Sequence, residues 1–169
     1  NPDGNGVVVG SGGVASLKAV KVSGSKDDGF LVIARAEATL EDVVSSGNRR
    51  GINAFSSGKV TLKNAQLTDN RQAGLRLDDS ATCTSTGSLI ARNASASEHG
   101  LLMEETTQLT STNDRFIDNK GNGLNIGNAA GATAKAVITG AEIRGSTGEN
   151  GAAGDGVLVS CNGNSVTCL

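Results

Sequence analysis

Apolar residues recur along this chain in short alternating groups that begin directly after a glycine. In each group the first and third residues are apolar, while the middle residue varies from leucine to asparagine or arginine. This period-two alternation is typical of a β-strand that buries one face. The groups are Val7–Val9, Phe30–Val32, Ile52–Ala54, Leu75–Leu77, Leu101–Met103, Leu124–Ile126 and Val157–Val159.

The same glycines set the register for two further groups in each repeat. The glycines are Gly6, Gly29, Gly51, Gly74, Gly100, Gly123 and Gly156, at intervals of 23, 22, 23, 26, 23 and 33 residues. Inward positions nine, eleven and sixteen residues after the glycine are mostly apolar, as in Val60, Leu62 and Leu67. The sixth repeat fits after two insertions, with 136–138 and 141–143 matching 60–62 and 65–67. Each repeat therefore predicts three short strands separated by turns.

Stacking these repeats in register predicts an all-β fold, a single-stranded parallel β-helix. It would contain about 6–7 coils of 22–26 residues, which stack at the spacing of neighbouring strands, about 4.8 Å. An asparagine follows nineteen residues after four of the glycines, at Asn48, Asn70, Asn93 and Asn119. We expect these asparagines to form a ladder inside a turn. We expect the glycines to supply a positive φ where the turn enters the first strand.

Two segments carry a family resemblance. The segments 116–126 (FIDNKGNGLNI) and 67–77 (LTDNRQAGLRL) resemble the repeat of right-handed parallel β-helix proteins of the pectate-lyase-like group. The resemblance covers nearly the whole chain and implies a right-handed helix. It leaves activity open, because the group includes lyases, hydrolases, epimerases, phage tailspikes and surface proteins without known catalysis. We expect 1–169 to form one β-helix domain that is a segment of a longer solenoid, since both ends fall partway through a coil.

Composition and charge narrow the choice of partners. The chain has 24 glycines, one proline and neither tryptophan nor tyrosine, which suits a narrow core that has little room for aromatic rings. The net charge of −2 offers no basic stripe for nucleic acid. The sequence contains no run of about 20 apolar residues, the length that a membrane-spanning helix needs.

Four carboxylates form the most distinctive candidate site. Asp78-Asp79 and Glu104-Glu105 occupy the same two positions in consecutive repeats, so they should stack at the end of the first strand. Like charges this close favour a cation, and calcium accepts several carboxylate oxygens. The resemblance implies that such acidic residues hold calcium and that an arginine acts as base, which points to Arg76. The alternative is a set of solvated turn carboxylates with no cofactor.

The outward positions of the first strand suggest a binding surface. Val8, Leu31, Ile33 and Phe55 would form an apolar strip in the early coils. Phe55, with Asn53 and Asn125, is the candidate ligand-binding set, since Phe55 is the only aromatic residue among the outward positions. His99 is the only histidine, and Asp78-Asp79 followed by His99-Gly100 resembles part of the polygalacturonase pattern. The rest of that pattern is missing, so His99 is interpreted as a turn residue without a role. The outward threonines Thr84 and Thr110 are interpreted as solvated strand residues.

The cysteines and one sequence motif complete the candidates. Cys161 and Cys168 could form a disulfide or remain two free thiols, whereas Cys83 falls on an inward position and should be buried. Asn93-Ala94-Ser95 is an N-glycosylation sequon, which matters only in a eukaryotic secretory host.

Two functions are compatible with these patterns. The first is a structural or binding β-helix segment of a secreted or cell-surface protein, with a polysaccharide or another protein surface as partner. The alternative is a calcium-dependent polysaccharide lyase or hydrolase with its site on the outer face of the first strand. The lack of tyrosine and tryptophan favours the first, because sugar rings usually stack on aromatic faces. The oligomeric state is left open.

Overall fold

The computed structural model describes residues 4–93, 99–127, 133–148, 154 and 156–159, and these residues form strands and turns without a helix. No helix in these ranges is long and apolar enough to cross a membrane. The strands are β1 Val7–Val9, β2 Val14–Lys18, β3 Lys21–Ser23, β4 Phe30–Val32, β5 Glu37–Glu41, β6 Val44–Ser46, β7 Ile52–Ala54, β8 Lys59–Lys63, β9 Gln66–Thr68, β10 Leu75–Leu77, β11 Thr82–Thr86, β12 Leu89–Ala91, β13 Leu101–Met103, β14 Gln108–Thr112, β15 Arg115–Ile117, β16 Leu124–Ile126, β17 Lys135–Thr139, β18 Glu142–Arg144 and β19 Val157–Val159.

The strands stack into three parallel sheets, as the repeat predicts. Sheet A contains the first strand of each coil, in the order β1-β4-β7-β10-β13-β16-β19. Sheet B contains the second strands from β2 to β17, and sheet C contains the third strands from β3 to β18. Equal repeat positions pair directly, as in Cys83 with Val60 and Leu109. The all-β parallel solenoid of about six turns is thereby confirmed.

The core consists of the inward columns of the three sheets. Leu40, Leu62, Leu67 and Leu75 are each at most 1% exposed. Phe30 and Phe116 are also buried inside the coil, so the narrow core does accommodate single phenylalanine rings. Stacking each apolar side chain on its neighbours above and below removes it from water, which stabilises the fold by about 25 cal/mol per Å² of apolar surface.

The asparagine ladder forms as predicted and lies fully inside the turn between sheets C and A. Asn48, Asn70, Asn93 and Asn119 are each 0% exposed. Asn93 Oδ1 accepts from the Asn70 backbone N–H at 3.2 Å, and Asn93 Nδ2 donates to the Leu67 carbonyl at 3.0 Å. Each amide thus satisfies backbone groups that the turn leaves without sheet partners, and one such group left unpaired would cost about 1–3 kcal/mol.

The prediction of a positive φ at the register glycines is wrong. Among the described glycines, positive φ occurs at Gly12, Gly24, Gly47, Gly87, Gly121, Gly127, Gly140 and Gly145, and the register glycines are not in this set. The left-handed residues lie in the turns and include non-glycine residues such as Arg35, Asn64 and Asp69. The register glycines are needed for close packing instead. A Cβ on Gly74 would lie 2.6 Å from Asn93 Nδ2 and 2.5 Å from Ile90 Cγ2.

Buried polar side chains interrupt the apolar core at the corner between sheets B and C. Asp114, which is 0% exposed, accepts from Ser111 Oγ at 2.6 Å and from the Ser88 backbone N–H at 2.7 Å. Ser85 Oγ donates to Ser88 Oγ at 3.2 Å. The hydrogen bonds compensate the desolvation of these groups.

One side chain links coils that are not neighbours. Arg71 Nη2 donates to the carbonyls of Ser25 and Lys26, at 3.0 and 2.9 Å. Arg49 belongs to the intervening second coil. It donates to Asp27 Oδ1 of the first coil at 2.9 Å and to Gln72 Oε1 of the third coil at 2.8 Å. This arginine staple fixes the turn between sheets C and A over the first three coils.

Replacement of a register glycine tests the packing explanation. We expect Gly74→Ala to lower the free energy of unfolding by about 1–3 kcal/mol, because the added methyl group collides with the ladder amide. Gly156→Ala is the matched control, since its Cβ would meet only Ile143 Cγ2, at 3.5 Å. Its effect should stay within about 0.5 kcal/mol. Urea unfolding measures both, and equal effects of the two substitutions would contradict the explanation.

Candidate functional site

The turns that border sheet A vary in length, whereas the turn between sheets B and C does not. Two residues separate the second strand from the third in all six coils. Four residues separate the first strand from the second in five coils, and eight do so in the sixth. The turn that leads back to sheet A contains five to twelve residues. Because insertions concentrate where function is added to a rigid scaffold, the outer face of sheet A is the candidate site.

Part of this outer face is covered by the residues that precede four of the register glycines. Asp28, Arg50, His99 and Asn122 occupy that position and are 4–9% exposed. Beneath them, the middle residues Asn53, Leu102 and Asn125 are buried at 4%, 3% and 2% exposure. The predicted ligand-binding asparagines are therefore enclosed. Ligand binding by Asn53 and Asn125 stays a prediction that would require these covering side chains to move.

Asp28, Arg50 and Asn53 form a buried polar cluster on the outer face. Asn53 Nδ2 donates to Asp28 Oδ2 at 2.8 Å, and Arg50 Nη1 lies 3.5 Å from Asp28 Oδ1. Burial raises the pKa of Asp28, and the Asn53 hydrogen bond and the Arg50 charge offset part of that rise. Asn53 Oδ1 is buried without a hydrogen-bond donor among the described residues. The carboxylate is thus held by a neutral amide at least as much as by the cation.

His99 has a structural role that the sequence interpretation missed. It has a φ of 61°, and its Nδ1 accepts from the Asn122 backbone N–H at 2.9 Å. Nε2 must then carry the proton of the neutral ring. It lies 2.7 Å from the side-chain amide of Asn125, so the amide oxygen of Asn125 must face it. In this orientation the Asn125 oxygen, which otherwise has no donor, accepts a hydrogen bond.

Arg76 bridges two of the four predicted calcium ligands. Its Nη2 donates to Asp78 Oδ2 at 2.8 Å and to Glu104 Oε2 at 2.6 Å, and its Nε donates to Glu104 Oε2 at 2.9 Å. The three side chains are 20–23% exposed. The guanidinium therefore supplies the positive charge that the sequence analysis expected from calcium. These bonds use Nε and Nη2 of Arg76, and a role of Arg76 as a base stays a prediction.

The other two carboxylates point elsewhere. Asp79 and Glu105 occupy left-handed turn positions with φ of 44° and 52°, and Asp79 Oδ2 accepts from Ser56 Oγ at 3.0 Å. Across the described residues, no three His, Cys, Asp or Glu side chains are grouped so that they could hold a metal ion. Calcium binding by Asp78, Asp79, Glu104 and Glu105 stays a prediction, and it would require displacement of the Arg76 guanidinium.

A shallow polar cavity lies at the turn between sheets A and B. It has a volume of about 360 Å³ and is lined by Ala34, Arg35, Ser56, Ser57 and Asp79. Phe55, the predicted binding residue, directly precedes Ser56 and is half-buried, as are Leu31 and Ile33. Val8, the fourth residue of the predicted apolar strip, is 55% exposed. Hydroxyls, a guanidinium and a carboxylate are thus adjacent at this edge, and Phe55 is the residue before Ser56 in the chain.

The remaining predicted residues lie away from this edge. Thr84 and Thr110 are exposed on sheet B. Cys83 is buried at 3% exposure, as predicted, and burial strongly raises the pKa of its thiol. Cys161 and Cys168 lie outside the described residues, so their disulfide stays a prediction.

The sequence reasoning missed two sets of residues: those that cover the outer face of sheet A, and the left-handed turn residues beside the cavity. Asp28, Arg50 and His99 share the position before the register glycine, and the same alignment that found the strands would have grouped them. Arg35 and Ser57 share a turn position that faces solvent, where no apolar periodicity marks them. Only the backbone conformation brings their side chains to one cavity.

The pKa values of Asp28 and Asp69 are shifted in opposite directions, so the pH dependence of stability tests the environments of both groups. We expect the pKa of Asp28 to lie above its ordinary value because of burial, and that of Asp69 to lie below because Arg92 donates to it. Asp28 then adds stability as the pH falls through its folded-state pKa toward its unfolded-state pKa. Asp69 adds stability above its unfolded-state pKa and loses it as the pH falls through its folded-state pKa.

Carboxyl ¹³C NMR titration measures both groups. Asn53→Leu should raise the pKa of Asp28 further, since it removes the hydrogen bond that stabilises the charged form. Arg92→Gln is the control, because it should raise the pKa of Asp69 and leave Asp28 unchanged. The assignment fails if Asp28 titrates at or below Asp69.

A substitution of Arg76 tests whether the guanidinium takes the place of calcium. Arg76→Ala leaves Asp78 and Glu104 without their shared donor, so we expect a loss of about 1–3 kcal/mol in the free energy of unfolding. Millimolar calcium should then raise the melting temperature of Arg76→Ala more than that of the unsubstituted chain. Arg115→Ala removes an exposed ion pair with Glu142 on sheet C and serves as control. A calcium shift that is equal or larger in the unsubstituted chain would show that the two cations do not compete.

Comparison with known proteins identifies the family. A family model described as "Right handed beta helix region" matches residues 1–136. Comparison with curated proteins and with solved structures gives no significant match. The family match spans most of the chain, and it agrees with three in-register parallel sheets. The chain therefore belongs to the right-handed parallel β-helix family.

Proposed function

We propose that this chain is a rigid β-helix scaffold of a secreted or cell-surface protein that binds a glycan at the edge of sheet A. The observation that carries the proposal is the cavity between Arg35 and Asp79, with the hydroxyls of Ser56 and Ser57 on its wall. The cavity is shallow and polar, with a volume of about 360 Å³, so a ligand would lie across it rather than be enclosed.

The chemistry of the lining suits a hydroxyl-rich ligand. A guanidinium donates several hydrogen bonds and a carboxylate accepts several, so together they can bind adjacent sugar hydroxyls. Arg35 is exposed, and no carboxylate among the described residues pairs with it. Asp79 accepts one hydrogen bond from Ser56 and retains further acceptor capacity. Phe55 precedes Ser56 in the chain and is half-buried, and we propose that a sugar face stacks on its ring.

The position of the cavity also favours binding. It is built on consecutive left-handed residues, Ala34–Arg35 and Ser56–Ser57, whose backbone is fixed by bonds between coils. Arg35 N donates to Ser56 O at 3.0 Å, and Ser57 N donates to Asp79 O at 2.9 Å. Because this backbone is already fixed, ligand binding does not have to order it. A glycan chain could extend from here along the outer face of sheet A.

The alternative is a calcium-dependent polysaccharide lyase or hydrolase. It rests on the proximity of Arg76, Asp78 and Glu104 in adjacent coils on the same outer face. We place it second because the guanidinium already compensates both carboxylates. Cleavage of a bound polymer only when calcium is added would favour this alternative.

Affinity electrophoresis through gels that contain neutral or acidic polysaccharides tests glycan binding. We expect at least one polymer to retard the chain, and Arg35→Ala and Phe55→Ala to weaken retardation at least about tenfold, equivalent to 1.4 kcal/mol. Thr84→Ala is the control, since Thr84 is exposed on sheet B and should not affect binding. The proposal fails if no polymer retards the chain, or if Arg35→Ala binds as well as the unsubstituted protein.

A further inference from the structure

Asn93 belongs both to the buried ladder and to the only Asn-x-Ser/Thr sequon of the chain, Asn93-Ala94-Ser95. Its side chain is 0% exposed. Nδ2 donates to Leu67 O at 3.0 Å and to Asn119 Oδ1 at 2.9 Å. Oδ1 accepts from the backbone N–H and from Nδ2 of Asn70, at 3.2 and 3.0 Å. Both polar atoms of this side chain are therefore used in bonds to the two neighbouring coils.

N-glycosylation would change the atom that makes two of these bonds. The transfer breaks the anomeric C–O bond of a lipid diphosphate oligosaccharide and forms a C–N bond to Nδ2, which loses one proton. The diphosphate oxygen retains the electron pair of the broken bond. The substituted nitrogen keeps a single N–H, so it cannot donate to both Leu67 and Asn119.

The space around Nδ2 is also too small for a sugar. Even a methyl carbon on the neighbouring Gly74 would lie 2.6 Å from Nδ2 and 3.1 Å from Asn93 Cγ. These distances fall below van der Waals contact, and a sugar ring is many times larger than a methyl group. A glycan on Asn93 is therefore incompatible with the closed coil on both hydrogen-bonding and steric grounds.

We infer that the sequon at Asn93 restricts where this chain folds: a glycan added before the fourth coil closes prevents the ladder from joining Asn70, Asn93 and Asn119. The native chain therefore folds in a compartment without N-linked glycan transfer. A chain exported by a route that lacks the oligosaccharide transferase satisfies this condition. Folding in a secretory lumen where Asn93 is glycosylated does not. The inference does not depend on the proposed glycan binding.

Cell-free translation with microsomes tests the inference, using the full chain fused to a cleavable secretory signal. Three forms are compared: the unsubstituted chain, Ser95→Ala, and Ser95→Ala combined with Gln66→Asn. Ser95→Ala removes the sequon and leaves Asn93 in place. Gln66→Asn creates a new sequon with Leu67 and Thr68 at an exposed position of sheet C, so it controls for the presence of a glycan as such.

Glycosylated bands are identified by their shift and by its loss on enzymatic deglycosylation, and each band is then digested with trypsin. We expect the glycosylated unsubstituted chain to be digested at least about tenfold faster than Ser95→Ala. The glycosylated Gln66→Asn form should be as resistant as Ser95→Ala. Equal resistance of the glycosylated unsubstituted chain would overturn the inference. Absence of any glycosylated band from the unsubstituted chain would also overturn it, because the sequon would then set no limit on the compartment.

Discussion

The structure depends on the contact between one glycine and one asparagine inside each of four successive coils. The asparagine satisfies backbone groups of the turn between sheets C and A, and the glycine leaves room for its amide, with Gly74 and Asn93 as the clearest pair. The constant spacing of nineteen residues follows from this contact, because both members must reach the same corner of the coil. The parallel sheets then follow from stacking these corners in register.

The sequence was sufficient for the architecture because the buried columns are periodic. A period-two pattern that recurs at 22–26 residues predicted the strands, the stacking of Val60 under Cys83 and the asparagine ladder. The pattern led to a wrong prediction of positive φ at the register glycines, because it shows that glycine is required at these positions without showing the reason. Steric exclusion and positive φ make the same demand on the sequence, and only the backbone distinguishes them.

The outer face of sheet A was predictable only in outline. Stacking correctly placed Arg76 near Asp78 and Glu104, yet charge alone could not show that the guanidinium, lying between them, would form the bonds expected of a metal. Asn53 and Asn125 point outward as expected but are covered by side chains from the preceding turn. The course of a turn depends on individual backbone conformations, such as the left-handed His99, which have no periodic signal.

The hydrogen bonds of Arg71 affect how the first three coils unfold locally. In a solenoid, stability is approximately a sum of terms between nearest neighbours, so coils at an end can fray one at a time. Arg71 couples the third coil to the carbonyls of Ser25 and Lys26 in the first, across the intervening second coil. Opening of the first coil therefore also breaks bonds made by the third. The first and third coils are therefore coupled directly, in addition to the contacts that each makes with the second coil.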